Sequence, residues 1–316
     1  MNILEIKNLN ISFKIHESQA QAIYGVNLEL EKGKSLGLVG ESGCGKTITA
    51  MSVLKLLPKN AIINEGQILF EGQNIFEVED KDLSKIRGAK IALIPQDPLT
   101  SLNPLFTVGE QILEAIELHK KVKGKQAKDL AIKALNDVKL PEAQSRFNDY
   151  PHQFSGGMRQ RAIIAMALSC DPQLIIADEP TTALDVTVQA QILNLIKEIQ
   201  QKRGLSLLLI THDLGIVAEV CDKVAVMYAG RIVEHSNTKQ IFDKPLHPYT
   251  QGLLESLPTS KSKKLKPIKG QPPSITENIS GCPFHPRCKF KMDKCVSNEP
   301  ELLEIESGHK TACWLY

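Results

Sequence analysis

A glycine-rich segment with one lysine and one threonine carries the strongest chemical signal in the sequence. Its residues are Gly40, Glu41, Ser42, Gly43, Cys44, Gly45, Lys46 and Thr47. Glycines at this spacing let backbone N–H groups turn inward onto phosphates, while the lysine adds a positive charge and the threonine offers a hydroxyl to Mg²⁺. The segment follows an apolar run ending at Val39 and precedes a helix-like stretch. We therefore predict a phosphate-binding loop between a strand and a helix.

Two adjacent carboxylates follow a second apolar run. Residues 174–177 have the pattern of a buried strand, and Asp178 and Glu179 come directly after it, at the end of the strand where ligands gather in open α/β sheets. Asp178 is predicted to hold Mg²⁺, directly or through water, and Glu179 to polarise an attacking water as general base. Without the phosphate loop, such a pair would as often be a helix cap or a solvated loop.

The elements that must position these residues are those of an α/β fold. Short solid apolar runs predict strands covered by helices on both faces, at residues 36–39, 91–94, 174–177 and 207–210. Helix-like stretches alternate with them, at residues 48–57, 159–168 and 188–200. Near the start, Val26, Leu28 and Leu30 alternate with polar residues, which predicts an antiparallel edge sheet with one buried face.

Composition bounds the class of protein. The chain has 316 residues, 42% of them hydrophobic and 23% charged, which predicts a folded protein and excludes a disordered or collagen-like one. A net charge of +2 gives no support for a nucleic-acid binder. No apolar run approaches the roughly 18 residues that cross a bilayer, and the N-terminal residues lack the pattern of a signal peptide. We expect a soluble, cytosolic chain.

Two regions depart from the alternating pattern. Residues 107–148 show helical spacing without a strand candidate, which predicts an inserted helical subdomain. From about residue 244, prolines and five lysines between Lys261 and Lys269 indicate a linker, for which a solvated tether is favoured over contact with anionic lipid. The predicted domains are a nucleotide-binding core (1–106 and 149–243), the helical insertion (107–148) and a C-terminal extension (244–316).

The segment from Phe154 to Arg161 reads F-S-G-G-M-R-Q-R and resembles the signature motif of ATP-binding cassette (ABC) proteins. Gln96, Ala183-Leu184-Asp185 and His212 stand where that family has its Q-loop, D-loop and switch histidine. The resemblance covers about residues 4–258 and implies a P-loop NTPase core with an antiparallel β subdomain. In that family two cassettes face each other head to tail, and each ATP lies between one phosphate loop and the other chain's signature.

The resemblance also implies individual roles. Ser155, Gly156 and Gly157 precede a helix, whose N-terminus would bind phosphate of the ATP held by the partner chain.

Gln96 would sense Mg²⁺ and the attacking water, His212 would contact the γ-phosphate, and Asp185 would cross the dimer interface. Phe13 is preferred to Tyr24 as the aromatic ring that stacks on adenine, because it ends the first strand. Phe154, Met158 and Cys44 depart from the commonest family residues without removing a phosphate-contacting glycine or the lysine.

Residues 96–104 and 247–250, together with the tail, resemble cassettes that serve oligopeptide, dipeptide and nickel importers. This implies an ATPase subunit at the cytoplasmic face of the cell membrane, docked through its helical insertion onto two transmembrane permease subunits. Its partners would be a second, related cassette and, indirectly, an extracytoplasmic substrate-binding protein, with no nucleic acid. A nickel or other small-solute importer is the alternative. A soluble ABC ATPase acting on DNA or ribosomes is more remote, because this chain has one cassette and no coiled-coil insertion.

Four of the seven cysteines lie near the C-terminus with the spacing C-x5-C-x6-C-x17-C: Cys282, Cys288, Cys295 and Cys313. Four thiolates suit either tetrahedral Zn²⁺ or an iron–sulfur cluster, and the spacing is the usual one of neither. The resemblance favours a [4Fe–4S] cluster over Zn²⁺, with unliganded thiols as a third interpretation and His285 or His309 as substitute ligands. A metal would stabilise so small a module. The tail would then be either a structural staple or a sensor controlling the ATPase rate.

Overall fold

The computed structural model describes residues 1–15, 17–182, 184–257, 267–277 and 279–316. The chain divides into two compact units. The first contains Met1–Phe76 and Leu209–Tyr316, and the second contains Glu77–Leu208. Most of the lysine run of the predicted linker falls within residues 258–266 and lies outside the described residues.

An antiparallel sheet forms the N-terminal part of the first unit. Its strands, in spatial order, are Ser18–Glu31, Asn2–Ile15, Ala61–Phe70 and Gln73–Asn74. Val26, Leu28 and Leu30 are buried and the residues between them are exposed. The alternation in the sequence therefore predicted the buried face of this sheet correctly.

A second group of strands in the first unit carries the phosphate loop. Ser35–Val39 is entirely buried and pairs in parallel with Lys223–Tyr228. From there antiparallel pairing continues through Arg231–Asn237 and His309–Thr311 to Leu303–Glu306. Two strands near the C-terminus therefore add to this group of strands. The helices of this unit are Lys46–Val53, Leu214–Val220, Thr238–Asp243, Pro248–Glu255 and Asp293–Ser297, with a 3-10 turn at His285–Arg287.

The second unit contains a pair of parallel strands and most of the long helices. Ile91–Ile94 pairs with Leu174–Asp178, Ile91 opposite Leu174. Its helices are Asp80–Leu83, Pro98–Ser101, Val108–Lys120, Gly124–Asp137, Ala143–Arg146, Gly156–Leu168 and Val186–Arg203, with a 3-10 turn at Pro151–Gln153. Leu208, the last residue of this unit, lies within the strand Ser206–Thr211. Residues 107–148, all of them described, hold three helices and no strand; the predicted domain boundaries stay a prediction.

The prediction of a linker from residue 244 is wrong for residues 244–257. Pro248–Glu255 is a helix in which Tyr249 and Thr250 are fully buried. Proline fits the first helical position because its missing N–H would have no partner there, and His247 caps the helix by accepting the N–H of Tyr249 at 3.1 Å. In the part of the chain that the structure describes, no helix has the length and apolar character to cross a bilayer.

Candidate functional site

The phosphate loop lies between the buried strand Ser35–Val39 and the helix that begins at Lys46. A side chain at Gly40 would place its Cβ 2.1 Å from the carbonyl oxygen of Met227. Gly45 has φ of 108°, and a Cβ there would lie 2.6 Å from Cδ1 of Ile23. Both positions therefore require glycine, the second also because its backbone conformation is unfavourable for other residues.

The side chain of Lys46 is folded onto its own loop. Its ammonium group donates to the carbonyl oxygens of Gly40 at 2.8 Å and Glu41 at 3.0 Å, and only 5% of the residue is exposed. Burial raises the pKa of the neighbouring Cys44 thiol, which keeps it protonated beside the lysine. Thr47 is exposed at the start of the helix, and its role as a Mg²⁺ ligand stays a prediction.

Glu41 links this loop to the C-terminal extension. Its carboxylate accepts two hydrogen bonds from the Arg287 guanidinium, at 2.6 and 2.9 Å. Its backbone N–H donates to the hydroxyl of Tyr249 at 2.8 Å. The sequence did not predict either contact, and the residues are separated by more than 200 positions.

The carboxylate predicted to act as general base is held by two donors. Gln96 donates from Nε2 to Oε2 of Glu179 at 3.0 Å, and the Thr182 hydroxyl donates to the same oxygen at 3.0 Å. Glu179 has a positive φ of 44°, whereas Asp178 before it is buried at the end of its strand, 2% exposed. The structure therefore brings Gln96 and Glu179 into direct contact.

The predicted signature forms the exposed start of a helix. Ser155 is the N-cap residue, and its hydroxyl accepts the N–H of Met158 at 3.3 Å. Ser155 and Gly156 are exposed. A Cβ at Gly157 would lie 2.7 Å from Cγ1 of Val188, so a side chain there would require its neighbour to move. The first backbone N–H groups of a helix have no partner within the helix, and here Ser155 satisfies that of Met158; the binding of an anion by this turn stays a prediction.

Asp185 is the N-cap of the following long helix, Val186–Arg203. Its carboxylate accepts the N–H of Val188 at 3.0 Å, and the residue is exposed. Ala183, in the same predicted D-loop, lies outside the described residues.

The two aromatic candidates for adenine stacking differ in their surroundings. The Tyr24 ring lies against the Arg231 guanidinium, 3.7 Å from its carbon to the ring centre, so one face of this ring is already covered. Phe13 is partly exposed near the end of its strand and pairs with Ala20. This difference agrees with the choice of Phe13, which stays a prediction. His212 is exposed directly after strand Ser206–Thr211.

The predicted site residues are divided between the two units. The first unit contains Phe13, the loop from Gly40 to Thr47, His212 and the four C-terminal cysteines, and the second contains Gln96, Ser155, Gly156, Gly157, Asp178, Glu179 and Asp185.

The four C-terminal cysteines line one small cavity together with aromatic side chains, among them Phe284 and Trp314. Burial, followed by the other three thiols, raises the pKa of Cys282 to about 11, and burial raises the pKa of Cys288 and Cys313.

As they stand, no three or more His, Cys, Asp or Glu side chains in the described ranges are arranged to hold a metal ion. Four converging thiols are nevertheless the donor set that zinc and iron–sulfur clusters use.

The two histidines suggested as substitute ligands differ. His285 lines the cysteine cavity. His309 is fully buried elsewhere, with Nε2 2.7 Å from the carboxylate of Glu234. This contact occupies Nε2, while Nδ1 has no hydrogen-bond partner among the described residues, so the suggestion that His309 substitutes for a thiol stays a prediction.

A buried strand, a glycine loop and a helix that begins at a buried lysine define a phosphate-loop NTPase of the α/β class. The chain belongs to the ABC transporter family, whose model matches residues 10–182. A second family model, the oligopeptide/dipeptide transporter C-terminal region, matches residues 233–295.

Similar proteins span almost the whole chain. It is 48% identical to the probable peptide ABC transporter ATP-binding protein y4tR of Sinorhizobium fredii, over 99% of this chain and 94% of that protein. It is 49% identical to the dipeptide transport ATP-binding protein DppD of Bacillus subtilis, with the same coverage. Among solved structures, the dimeric post-hydrolysis state of the ATP-binding cassette MJ0796 bound to ADP and Pi has a TM-score of 0.67 and 27% identity, and covers 74% of this chain and 98% of that one.

Proposed function

We propose that this chain is the ATP-hydrolysing subunit of an importer that takes up dipeptides or oligopeptides through membrane permease subunits. The observation that carries the proposal is that the cassette is joined to a C-terminal region of the oligopeptide/dipeptide type. Relatives named as peptide and dipeptide transport proteins match this chain over nearly their full length. The peptide itself would pass through the permeases, so residues of this chain do not contact it.

In the proposed reaction, MgATP binds to the loop from Gly40 to Thr47. Mg²⁺, held by Thr47, Gln96 and Asp178, would neutralise phosphate charge. Glu179 would take a proton from the attacking water; its contact with Gln96 supports a common role for these two side chains.

Two further groups of residues complete the proposed site. His212 would contact the γ-phosphate, and Phe13 would stack on the adenine. The signature residues Ser155, Gly156 and Gly157 would complete the site of a partner cassette arranged head to tail, with Asp185 at the interface.

Replacement of the general base tests this mechanism. We expect Glu179→Gln to lower the ATP turnover of the assembled transporter by about 10²–10⁴-fold, because the amide cannot accept the proton, while MgATP binding is retained. Glu65→Gln, at an exposed strand position, is the matched control and should turn over normally. Full turnover by the Glu179→Gln variant would refute the assignment of the base.

The proposed location is the cytoplasmic face of the cell membrane, with two permease subunits, a related second cassette and, indirectly, a substrate-binding protein as partners. Isolation of the chain from membranes tests this. Recovery with permeases, and ATP turnover stimulated by peptides, supports the proposal. Stimulation by nickel or another small solute would instead identify that solute as the substrate. Recovery with DNA or ribosomes would contradict the proposed transport function.

We also propose that Cys282, Cys288, Cys295 and Cys313 hold a [4Fe–4S] cluster, with Zn²⁺ as the alternative. Their convergence on one cavity supports this; such a cluster would cross-link a segment with little apolar core of its own. Purified transporter should contain iron and sulfide with broad visible absorbance, and Cys295→Ser should lose both. Zinc without sulfide would favour the Zn²⁺ alternative. The absence of both iron and zinc would show that the thiols are unliganded.

A Cys288→Ser transporter that lost its metal yet kept its ATPase rate under oxidation would favour a structural staple over a sensor.

A further inference from the structure

The phosphate loop is gripped at its second residue by a fork-shaped ion pair. Arg287 donates from both terminal nitrogens to the two carboxylate oxygens of Glu41, at 2.6 and 2.9 Å. The arginine side chain is 5% exposed and that of Glu41 is 25% exposed. Two parallel hydrogen bonds fix direction as well as distance, so this pair restrains the orientation of Glu41.

A second contact restrains the backbone of the same residue. The Tyr249 hydroxyl accepts the N–H of Glu41 at 2.8 Å. Tyr249 is fully buried and packs against the rings of Tyr228 and Phe284, with centres 4.7 and 5.4 Å away. The hydroxyl is therefore presented by a rigid group of aromatic side chains.

The helix that carries Tyr249 is itself anchored to a core strand. Glu234, fully buried, accepts the backbone N–H groups of Leu246 at 2.7 Å and His247 at 2.9 Å. His309 adds a contact to the same carboxylate at 2.7 Å. The position of the tyrosine hydroxyl is thus set by the strand that also pairs with the end of the chain.

We propose that Arg287 and Tyr249 are positioning residues of the ATP site. They hold Glu41, whose carbonyl oxygen contacts the Lys46 ammonium at 3.0 Å, and so keep the loop in the shape that receives the phosphates. The proposal rests on the assignment of this loop as the ATP site.

A merely structural attachment would not need this arrangement. A buried ion pair adds little net stability over apolar packing, because removing its charges from water offsets their attraction. Apolar contacts of Phe284 already attach this segment to Tyr228 and Tyr249. The charged fork is directed at the loop itself, which indicates control of loop geometry.

The same unit provides a matched control. Arg231 also forms a two-pronged pair, with Glu299 of the C-terminal extension, and its Nη2 lies 3.0 Å from Oε2. This side chain is 17% exposed and none of its described contacts reaches the phosphate loop. Its guanidinium also lies on Tyr24, the ring not preferred for adenine stacking, so its replacement is expected to loosen the extension while the contacts of Glu41 with Arg287 and Tyr249 remain.

The experiment compares Arg287→Gln and Arg231→Gln in the assembled full-length transporter. We expect Arg287→Gln to weaken MgATP binding and raise KM about tenfold, the size of a typical coupling between sites, with kcat at saturating MgATP changed less than about twofold. Arg231→Gln should leave both constants within about twofold. Tyr249→Phe, which loses one neutral hydrogen bond, should weaken binding by about threefold to tenfold.

Two further variants keep the outcome interpretable. Adding Glu41→Gln to Arg287→Gln should weaken binding little beyond the single change, because partners in one interaction are not additive. Arg287→Lys keeps the charge without the fork, so it should fall between wild type and Arg287→Gln even where the latter folds poorly. Unchanged MgATP affinity in Arg287→Gln, or an equal loss in Arg231→Gln, overturns the proposal. Wild-type transporter that bound no MgATP would instead refute the ATP site.

Discussion

The phosphate loop and the signature are both glycine-containing starts of helices, yet the structure treats them in opposite ways. The phosphate loop is enclosed: Lys46 is 5% exposed, and Glu41 is held by Arg287 and Tyr249. The signature is open, with Ser155 and Gly156 exposed. The phosphate loop is therefore supported by side chains of its own unit, whereas the described support of the signature is the Ser155 cap of its helix.

This difference indicates a division of work. A loop that is fixed before the ligand arrives spends little of the binding energy on ordering. An exposed helix start with a capping side chain would be open to a phosphate that another chain brings. The contrast therefore agrees with the proposed head-to-tail pair of cassettes.

A charge placed on the open site gives the largest expected effect. Gly156→Asp puts a carboxylate where the partner's phosphate would lie, and ATP turnover of the assembled transporter should fall about 10²–10³-fold. An acidic residue in the first helical turn favours the helix itself, so the melting temperature of the chain should not fall. Gly156→Ala is the control and should retain most of the turnover. Normal turnover in the aspartate variant would break the contrast between the sites.

A change in the enclosed phosphate loop should impair MgATP binding itself. Lys46→Ala removes the ammonium that the loop carbonyls hold, and we expect MgATP affinity of the single chain to fall by about 10–100-fold. Gly156→Asp should leave that affinity unchanged, because the signature belongs to the other half of the site. Equilibrium binding of MgATP to each variant measures this difference in affinity. Normal binding by Lys46→Ala would remove the assignment of the loop.

Acid should weaken the region that supports the enclosed site. Burial lowers the pKa of His247 to about 3 and that of His235 to about 4, so in this range the unfolded chain binds protons that the folded chain does not. The free energy of unfolding should therefore decrease as pH falls below about 6.5, by about 2 kcal/mol per histidine between pH 7 and 5. Urea unfolding at both pH values measures this. His247→Asn should lose about half of the decrease, and an unchanged slope would contradict the prediction.

The sequence predicted the elements that depend on local pattern. The alternation of Val26, Leu28 and Leu30 marks a strand with one buried face, and the run at residues 91–94 matches the strand Ile91–Ile94. The phosphate loop was placed correctly between its strand and helix because glycine spacing and its flanking pattern are local as well. The pairing of Gln96 with Glu179 agrees with roles implied by the family resemblance.

What the sequence did not reveal depends on distance along the chain. Arg287 and Glu41 are separated by 246 positions, and neither residue type is unusual in its own segment. The prolines from residue 244 onward predicted a linker, because proline interrupts regular secondary structure, but Pro248–Glu255 is a helix. A capping residue followed by proline is also a helix start, and His247-Pro248 was the available signal.

Arg287 stands in the short loop between Cys282 and Cys288, so whatever restrains those thiols also restrains its guanidinium. Thermodynamic linkage makes such a connection reciprocal: if the state of the thiols alters nucleotide affinity, nucleotide alters the state of the thiols to the same extent. Bound MgATP would then slow the reaction of these thiols. Comparing the rate of thiol alkylation with and without MgATP would reveal that protection.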